Sequence, residues 1–286
     1  MWLVHRADPI HNGPSDRLSG SQPNLARCAP GLVAGAVLVT ASLIPDVRLP
    51  ALAGLVLVLL LAGRFTVVVW SVAAVIPASV YLAWQTLPPP SGVGLAWCAD
   101  VVSPPVLRTV GGALLVFAAV ALLAVHLRTS GAGIGLIRPS RATVGVSLLV
   151  AVLVAVGSLA LGTILAAPFF GPIALKLDEP GAVLGALIFA FASGSMQEVA
   201  YRGTMLGWLT PGLGARTALL MQAIAFGASH TGPDFVTSPL PVLIAVGAGG
   251  LVAGMIVQRS RSLAFVIAVH AAFDVPLYYG AVCRLP

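Results

Sequence analysis

Nine apolar runs, set apart by turn residues and isolated arginines, constrain this chain more than any other feature. They cover 31–45, 49–63, 65–85, 109–127, 143–170, 181–209, 214–230, 239–258 and 261–282. A helix crosses the hydrocarbon core of a bilayer with about 20 apolar residues, because each adds about 1.5 Å of rise. Most of the runs approach or reach that length, whereas 31–45 and 49–63 fall short, and only the Gly63-Arg64 pair parts 49–63 from its successor. The pattern predicts an all-α polytopic transmembrane helix bundle of eight or nine spans. Charge agrees: Lys and Arg number 15 and Asp and Glu 9, so 8% of residues are charged where soluble proteins average about 25%. With 58% hydrophobic residues, the composition excludes soluble enzymes, disulfide scaffolds, disordered tails and collagen-like repeats.

The net charge of +6 does not indicate a nucleic-acid partner, because the cations are scattered through short loops. Their distribution orients the bundle instead. With nine spans and a cytoplasmic N-terminus, the inside segments hold Arg6, Arg17, Arg27, Arg64, Arg128, Arg138, Arg141, Arg216, Arg259 and Arg261, and the outside segments hold Arg48, Arg108, Lys176 and Arg284. Residues 1–29 read as a polar cytoplasmic tail, 30–142 as an N-terminal helical group and 143–286 as a C-terminal core. The proline-rich stretch 86–107 reads as an outside loop, and the Gly- and Arg-rich stretch 128–142 as a linker. Cys28, Cys98 and Cys283 lack metal-ligand spacing and read as packing residues. Gly247, Gly250 and Gly254 place small residues on one helix face, a pattern for close helix packing.

One cation, Arg202, falls inside a span. A charged side chain at membrane depth costs about 2.5–3.5 kcal/mol on insertion scales, so such groups face one another or a wet cavity. Glu198, Arg202, His230, His270 and Asp274 all lie on three of the last four runs, whereas His126 sits at a run end beside Arg128. Glu198 and Arg202 are four residues apart with the acid first, the favourable order for a helical pair. His270 and Asp274 share that spacing, as do Phe226 and His230, so each pair projects from one helix face. With the amide of Gln197, these groups suit hydrolysis: one takes a proton from water while another holds a metal or polarises a carbonyl. Two other readings use the same residues, a structural ion pair with hydrogen-bonded histidines and a proton-coupled transporter. The chain shows none of the inverted repeats common in transporters.

Three ordered motifs carry a resemblance. Gln197-Glu198-Val-Ala-Tyr-Arg202-Gly203, Phe226-Gly-Ala-Ser-His230 and His270-Ala-Ala-Phe-Asp274 resemble the E-E-x-x-x-R, F-x-x-x-H and H-x-x-x-N/D motifs of the CAAX-protease and bacteriocin-processing family, intramembrane proteases of the Ras-converting endoprotease type. The resemblance covers roughly 181–279. It implies an intramembrane endopeptidase acting on membrane-associated peptide or protein substrates in a bacterial cell membrane. By position, His230 assists the attacking water, His270 with Asp274 stabilises the oxyanion, and Arg202 holds the glutamate pair. Some readings of the family make such residues zinc ligands, which would be His230, His270 and Asp274 here.

The chain departs from the pattern at its first glutamate, which is Gln197. An amide accepts no proton at neutral pH, although it orients water by hydrogen bonding. Either Glu198 serves as base, re-aimed by a small helix rotation or a flexible Ser193-Gly194-Ser195 stretch, or the chain is a non-catalytic membrane scaffold or bacteriocin immunity factor. Depth along each run gives a rough constraint: about 16 Å for Glu198, 24 Å for His230 and 13 Å for His270, at about 1.5 Å per residue.

Overall fold

The computed structural model describes residues 25–62, 66–87, 101–128, 140–170, 175–231 and 239–282. Each apolar run becomes a helix, and among the described residues there is no strand. In chain order these are α1 (Leu25–Leu43), α2 (Arg48–Leu61), α3 (Thr66–Gln85), α4 (Pro104–His126), α5 (Arg141–Phe170), α6 (Pro180–Glu198), α7 (Gly207–Leu213), α8 (Ala215–Ala228), α9 (Pro239–Ser260) and α10 (Ala264–Val282). A π-helical segment, Val199–Leu206, joins α6 to α7. Helices α4 and α6 start slightly ahead of their apolar runs because prolines occupy their first turns, where no backbone N–H is needed. Cys98, Cys283, residues 1–24 of the expected tail, and most of the proline-rich loop and of the linker lie outside the described residues. The last residues of the expected tail, from Leu25, are already helical.

Among the described residues, five helical stretches are long and apolar enough to cross a membrane: Thr66–Gln85, Pro104–His126, Val144–Leu161, Pro180–Leu213 and Leu240–Ser260. Cys28–Leu43 and Ala264–Gly280 are shorter apolar helices. Helices α2 and α8 have 14 residues each, about 21 Å of rise against a core of about 30 Å, so neither crosses alone. The Pro180–Leu213 stretch is 34 residues and exceeds that thickness, which tilt or emergence accommodates. Leu148, Leu149, Val152, Leu153 and Val156 of α5 are exposed. Such an apolar face suits lipid, and the chain is an integral membrane protein.

The core that positions the site forms where the π segment meets α3, α8 and α9, and where α10 packs between α5 and α6. Trp70 of α3 meets Trp208 edge-on, with centroids 5.7 Å apart, pinning the end of the long helix. Close approach needs missing side chains. A Cβ on Gly194 of α6 would lie 2.9 Å from the backbone nitrogen of Ala271 in α10, and one on Gly227 of α8 would lie 2.5 Å from the Leu243 carbonyl oxygen in α9.

One cation changes its reading. Arg48, expected in an outside loop, is buried at 5% exposure, and its guanidinium donates to the carbonyls of Ala41 (3.1 Å) and Ser42 (3.2 Å). It caps the end of α1, whose last carbonyls have no partners within the helix. Its guanidinium thus ties the start of α2 to the end of α1.

Candidate active site

Four helical elements supply the site. Helix α6 brings Ser193, Gln197 and Glu198, the π segment brings Tyr201 and Arg202, the end of α8 brings Phe226 and His230, and α10 brings His270 and Asp274. Glu198 and Arg202 are 1% and 2% exposed, and Oε1 of Glu198 lies 3.1 Å from Nη1 of Arg202. Removing either charge leaves the other buried alone, at a cost of about 3–5 kcal/mol. The same oxygen accepts from Nδ1 of His270 at 2.7 Å, joining the first and third motifs across 72 positions of sequence. Nε2 of His270 is 3.7 Å from Oδ1 of Asp274. That distance is too long for a hydrogen bond, so the nitrogen stays available to another partner with the carboxylate charge behind it.

His230 reaches this group through Phe226. The Phe226 ring lies 4.7 Å from the His230 ring and 5.8 Å from the His270 ring, both edge-on. The guanidinium of Arg202 sits 3.8 Å above the same ring, close enough for a cation–π contact, and Tyr201 packs on it at 5.2 Å. Phe226 thus links His230 to His270 and Arg202. His230 Nδ1 lies 2.8 Å from the Phe226 carbonyl, which can only accept, so Nδ1 carries the proton and Nε2 holds the lone pair.

Gln197 is 4% exposed and donates from Nε2 to the Ser193 hydroxyl at 2.9 Å. The buried side-chain oxygens without a hydrogen-bond partner among the described residues include Oε1 of Gln197, Oε2 of Glu198 and Oδ2 of Asp274. Buried acceptors of this kind are expensive unless something donates to them, and together they suit a polar guest such as water.

The structure differs from one expectation. Ser193-Gly194-Ser195 lies within the continuous helix α6 and provides no loosened stretch. The irregularity comes immediately after Glu198, in the eight-residue π segment, where i→i+5 hydrogen bonding widens the turn that carries Arg202. Among the described residues, no three His, Cys, Asp or Glu groups gather as metal ligands. His270 is held at Nδ1 by Glu198 and His230 at Nδ1 by a carbonyl, which leaves Nε2 as the available nitrogen of each ring.

Sequence reasoning missed Ser193, Gln222 and Gly250. Gln222 is fully buried and donates to the Gly250 carbonyl at 2.9 Å. A Cβ on Gly250 would lie 3.0 Å from Phe226 and 3.2 Å from Nη2 of Arg202. The small-residue stripe on α9 thus packs helices, as expected, and also clears room for the Arg202–Phe226 stack. A serine one turn before Gln197 on the same face was the available signal for Ser193.

Residues 179–276, about a third of the chain, match the family described as type II CAAX prenyl endopeptidase Rce1-like. Residues 179–276 form an Rce1-like domain. The match spans all three motifs and the helices that hold them, and it agrees with the 181–279 region read from the motifs. At family level the activity is that of a CAAX-type intramembrane endopeptidase. No curated protein and no solved structure matches the chain.

Proposed function

We propose that this protein is an active intramembrane endopeptidase that hydrolyses peptide bonds of membrane-associated, CAAX-type substrates with a water activated by Glu198 and His230. The observation that carries the proposal is the 2.7 Å bond between His270 and Glu198, which draws the first and third motifs into one buried group. Oε1 of Glu198 is occupied by Arg202 and His270, leaving Oε2 as the oxygen that takes the proton from water. The lone pair on Nε2 of His230 accepts the second water hydrogen, and Oε1 of Gln197 helps orient the molecule.

The hydroxide adds to the scissile carbonyl carbon, and the oxyanion that forms meets the Nε2 side of His270, backed by Asp274. Glu198 then delivers its proton to the leaving amine, so the peptide bond breaks with the proton count unchanged. Arg202 and a doubly protonated His270 balance the charges of Glu198 and Asp274, which keeps the buried group neutral overall.

The test is cleavage of a fluorogenic, prenylated CAAX peptide by the full chain in liposomes. Cleavage abolished by Glu198→Ala and by His230→Ala but retained at a reduced rate by Gln197→Ala supports the displaced base. An inert wild-type chain that gains activity only on Gln197→Glu overturns it in favour of a non-catalytic member. Substrate-dependent flux through vesicles without cleavage would instead identify a transporter.

A further inference from the structure

Three arginines that play no part in the buried site gather at one end of the bundle. Gln258 of α9 donates from Nε2 to the Ala215 carbonyl at the start of α8, at 2.9 Å. That bond brings the next residues in sequence, Arg259 and Arg216, to the same place, and Arg261 follows in the turn before α10. Arg261 holds φ 55°, a left-handed conformation that favours glycine, so the turn keeps a cation against local strain. All three arginines are exposed, and among the described residues no side chain pairs with theirs. No acid answers them. Outside the buried site the described acids are Asp46, Asp178 and Glu179. Helix α1 starts at this end, where Cys28 donates to the Gly212 carbonyl at 3.5 Å, and Asp46 lies beyond its far end. Asp178 and Glu179 precede the 34-residue stretch Pro180–Leu213, which arrives here only with its last turn.

Two of these arginines also head exposed apolar stripes. Leu220 and Ile224 follow Arg216 at four-residue spacing on α8, and Met255 and Val252 precede Arg259 by four and seven residues on α9, all of them exposed. Cations at a helix end, with apolar side chains running from them along the same face, match the two parts of a lipid. Guanidinium forks take phosphate oxygens, and the stripes lie against acyl chains. An acidic peptide or a nucleic acid would answer the charge and leave the stripes unmatched. We propose that Arg216, Arg259 and Arg261 form a docking surface for the headgroup of an anionic phospholipid, whose chains lie along α8 and α9. Phosphatidylcholine carries its own ammonium beside the phosphate and offers no net charge to three unpaired guanidiniums. The inference stands independently of the peptidase reading, although α8 leads from this surface to Phe226 and His230.

The test is titration of the full chain in detergent micelles with phosphatidylglycerol and phosphatidylcholine of matched chains, each labelled with a fluorophore at a chain end. The wild type binds phosphatidylglycerol about tenfold or more tightly than phosphatidylcholine at low salt, and the preference shrinks as salt screens the exposed charges. The triple variant Arg216→Gln/Arg259→Gln/Arg261→Gln brings the two lipids within about twofold of each other. Arg216→Gln and Arg259→Gln taken singly each lower the preference about two- to fivefold, which decides the matter if the triple variant does not fold. Arg128→Gln/Arg141→Gln removes exposed charge beside α4 and α5 and keeps the wild-type preference within about twofold. Leu220→Ser/Ile224→Ser weakens both lipids alike, and free glycerol 3-phosphate displaces little phosphatidylglycerol because it lacks the chains.

Equal affinity of the wild type for the two lipids overturns the proposal, and so does a triple variant whose preference is undiminished. An equal loss in Arg128→Gln/Arg141→Gln overturns it too, by tracing the effect to net charge alone. Tighter binding of a polyglutamate peptide or an RNA oligomer than of phosphatidylglycerol, unmoved by Leu220→Ser/Ile224→Ser, overturns it in favour of a soluble partner.

Discussion

His270 donates through Nδ1 to the one oxygen of Glu198 that also faces Arg202, so a single carboxylate oxygen holds two donors from two helical elements. This shared oxygen makes Glu198 both structural and chemical, and its two roles separate by mutation. Glu198→Gln keeps the volume and one carbonyl oxygen but removes the charge and the proton acceptor. Cleavage should fall by about 10²–10⁴-fold, the usual weight of a general base, with most of the thermal stability retained. Glu198→Ala should lose the same activity and also about 3–5 kcal/mol of stability, because Arg202 is left buried without its counter-charge. Adding Arg202→Leu to Glu198→Ala should recover stability without activity, as read by thermal unfolding in nanodiscs.

His230 should show the opposite division. Its ring is half-buried, and its hydrogen bonds stay within its own turn, to Phe226 and Ser229. His230→Ala should therefore cost about 1 kcal/mol of stability or less while lowering kcat by about 10²-fold or more. A drop in activity that merely tracks a drop in melting temperature would assign the ring to packing.

What the sequence made legible depends on the range over which it acts. The apolar runs became helices because burial and backbone satisfaction in lipid leave few other solutions, and the i, i+4 pairs met because a helix fixes that geometry locally. The bond between Glu198 and His270 joins positions 72 apart, and the motif order suggested it without supplying contact or direction. The π segment lay beyond reach, since one inserted residue per turn leaves no apolar signature in Val199–Leu206. The cap made by Arg48 was hidden for a related reason: a cation near a run end looks the same whether it meets headgroups or caps a helix, and only the folded chain reveals the carbonyls of Ala41 and Ser42.

That cap carries its own prediction. Arg48→Met preserves much of the buried stem but leaves the Ala41 and Ser42 carbonyls without their guanidinium donor. The variant should lose about 1–3 kcal/mol of stability, with KM changed less than about twofold because the guanidinium's bonds to Ala41 and Ser42 lie at the end of α1. Proteolysis kinetics of the purified protein together with substrate titration would check both halves.

Phe226 permits the sharpest separation of shape from chemistry. Its ring is 5% exposed and contacts Arg202 on its face and Tyr201, His230 and His270 around it. Phe226→Ala empties that centre and should cost about 3–5 kcal/mol, as large-to-small core changes do. Phe226→Leu fills most of the volume, so its stability loss should stay near 1–2 kcal/mol, including about 0.5–1 kcal/mol from the lost cation–π contact. It should still lower kcat about tenfold or more, since nothing then fixes the two imidazoles relative to the guanidinium, and misplacements of that size are costly in catalysis. Equal kcat in Phe226→Leu and wild type, measured on the prenylated CAAX peptide, would reduce the ring to filler and leave the alignment of His230 with His270 to the backbone of α8 and α10 alone.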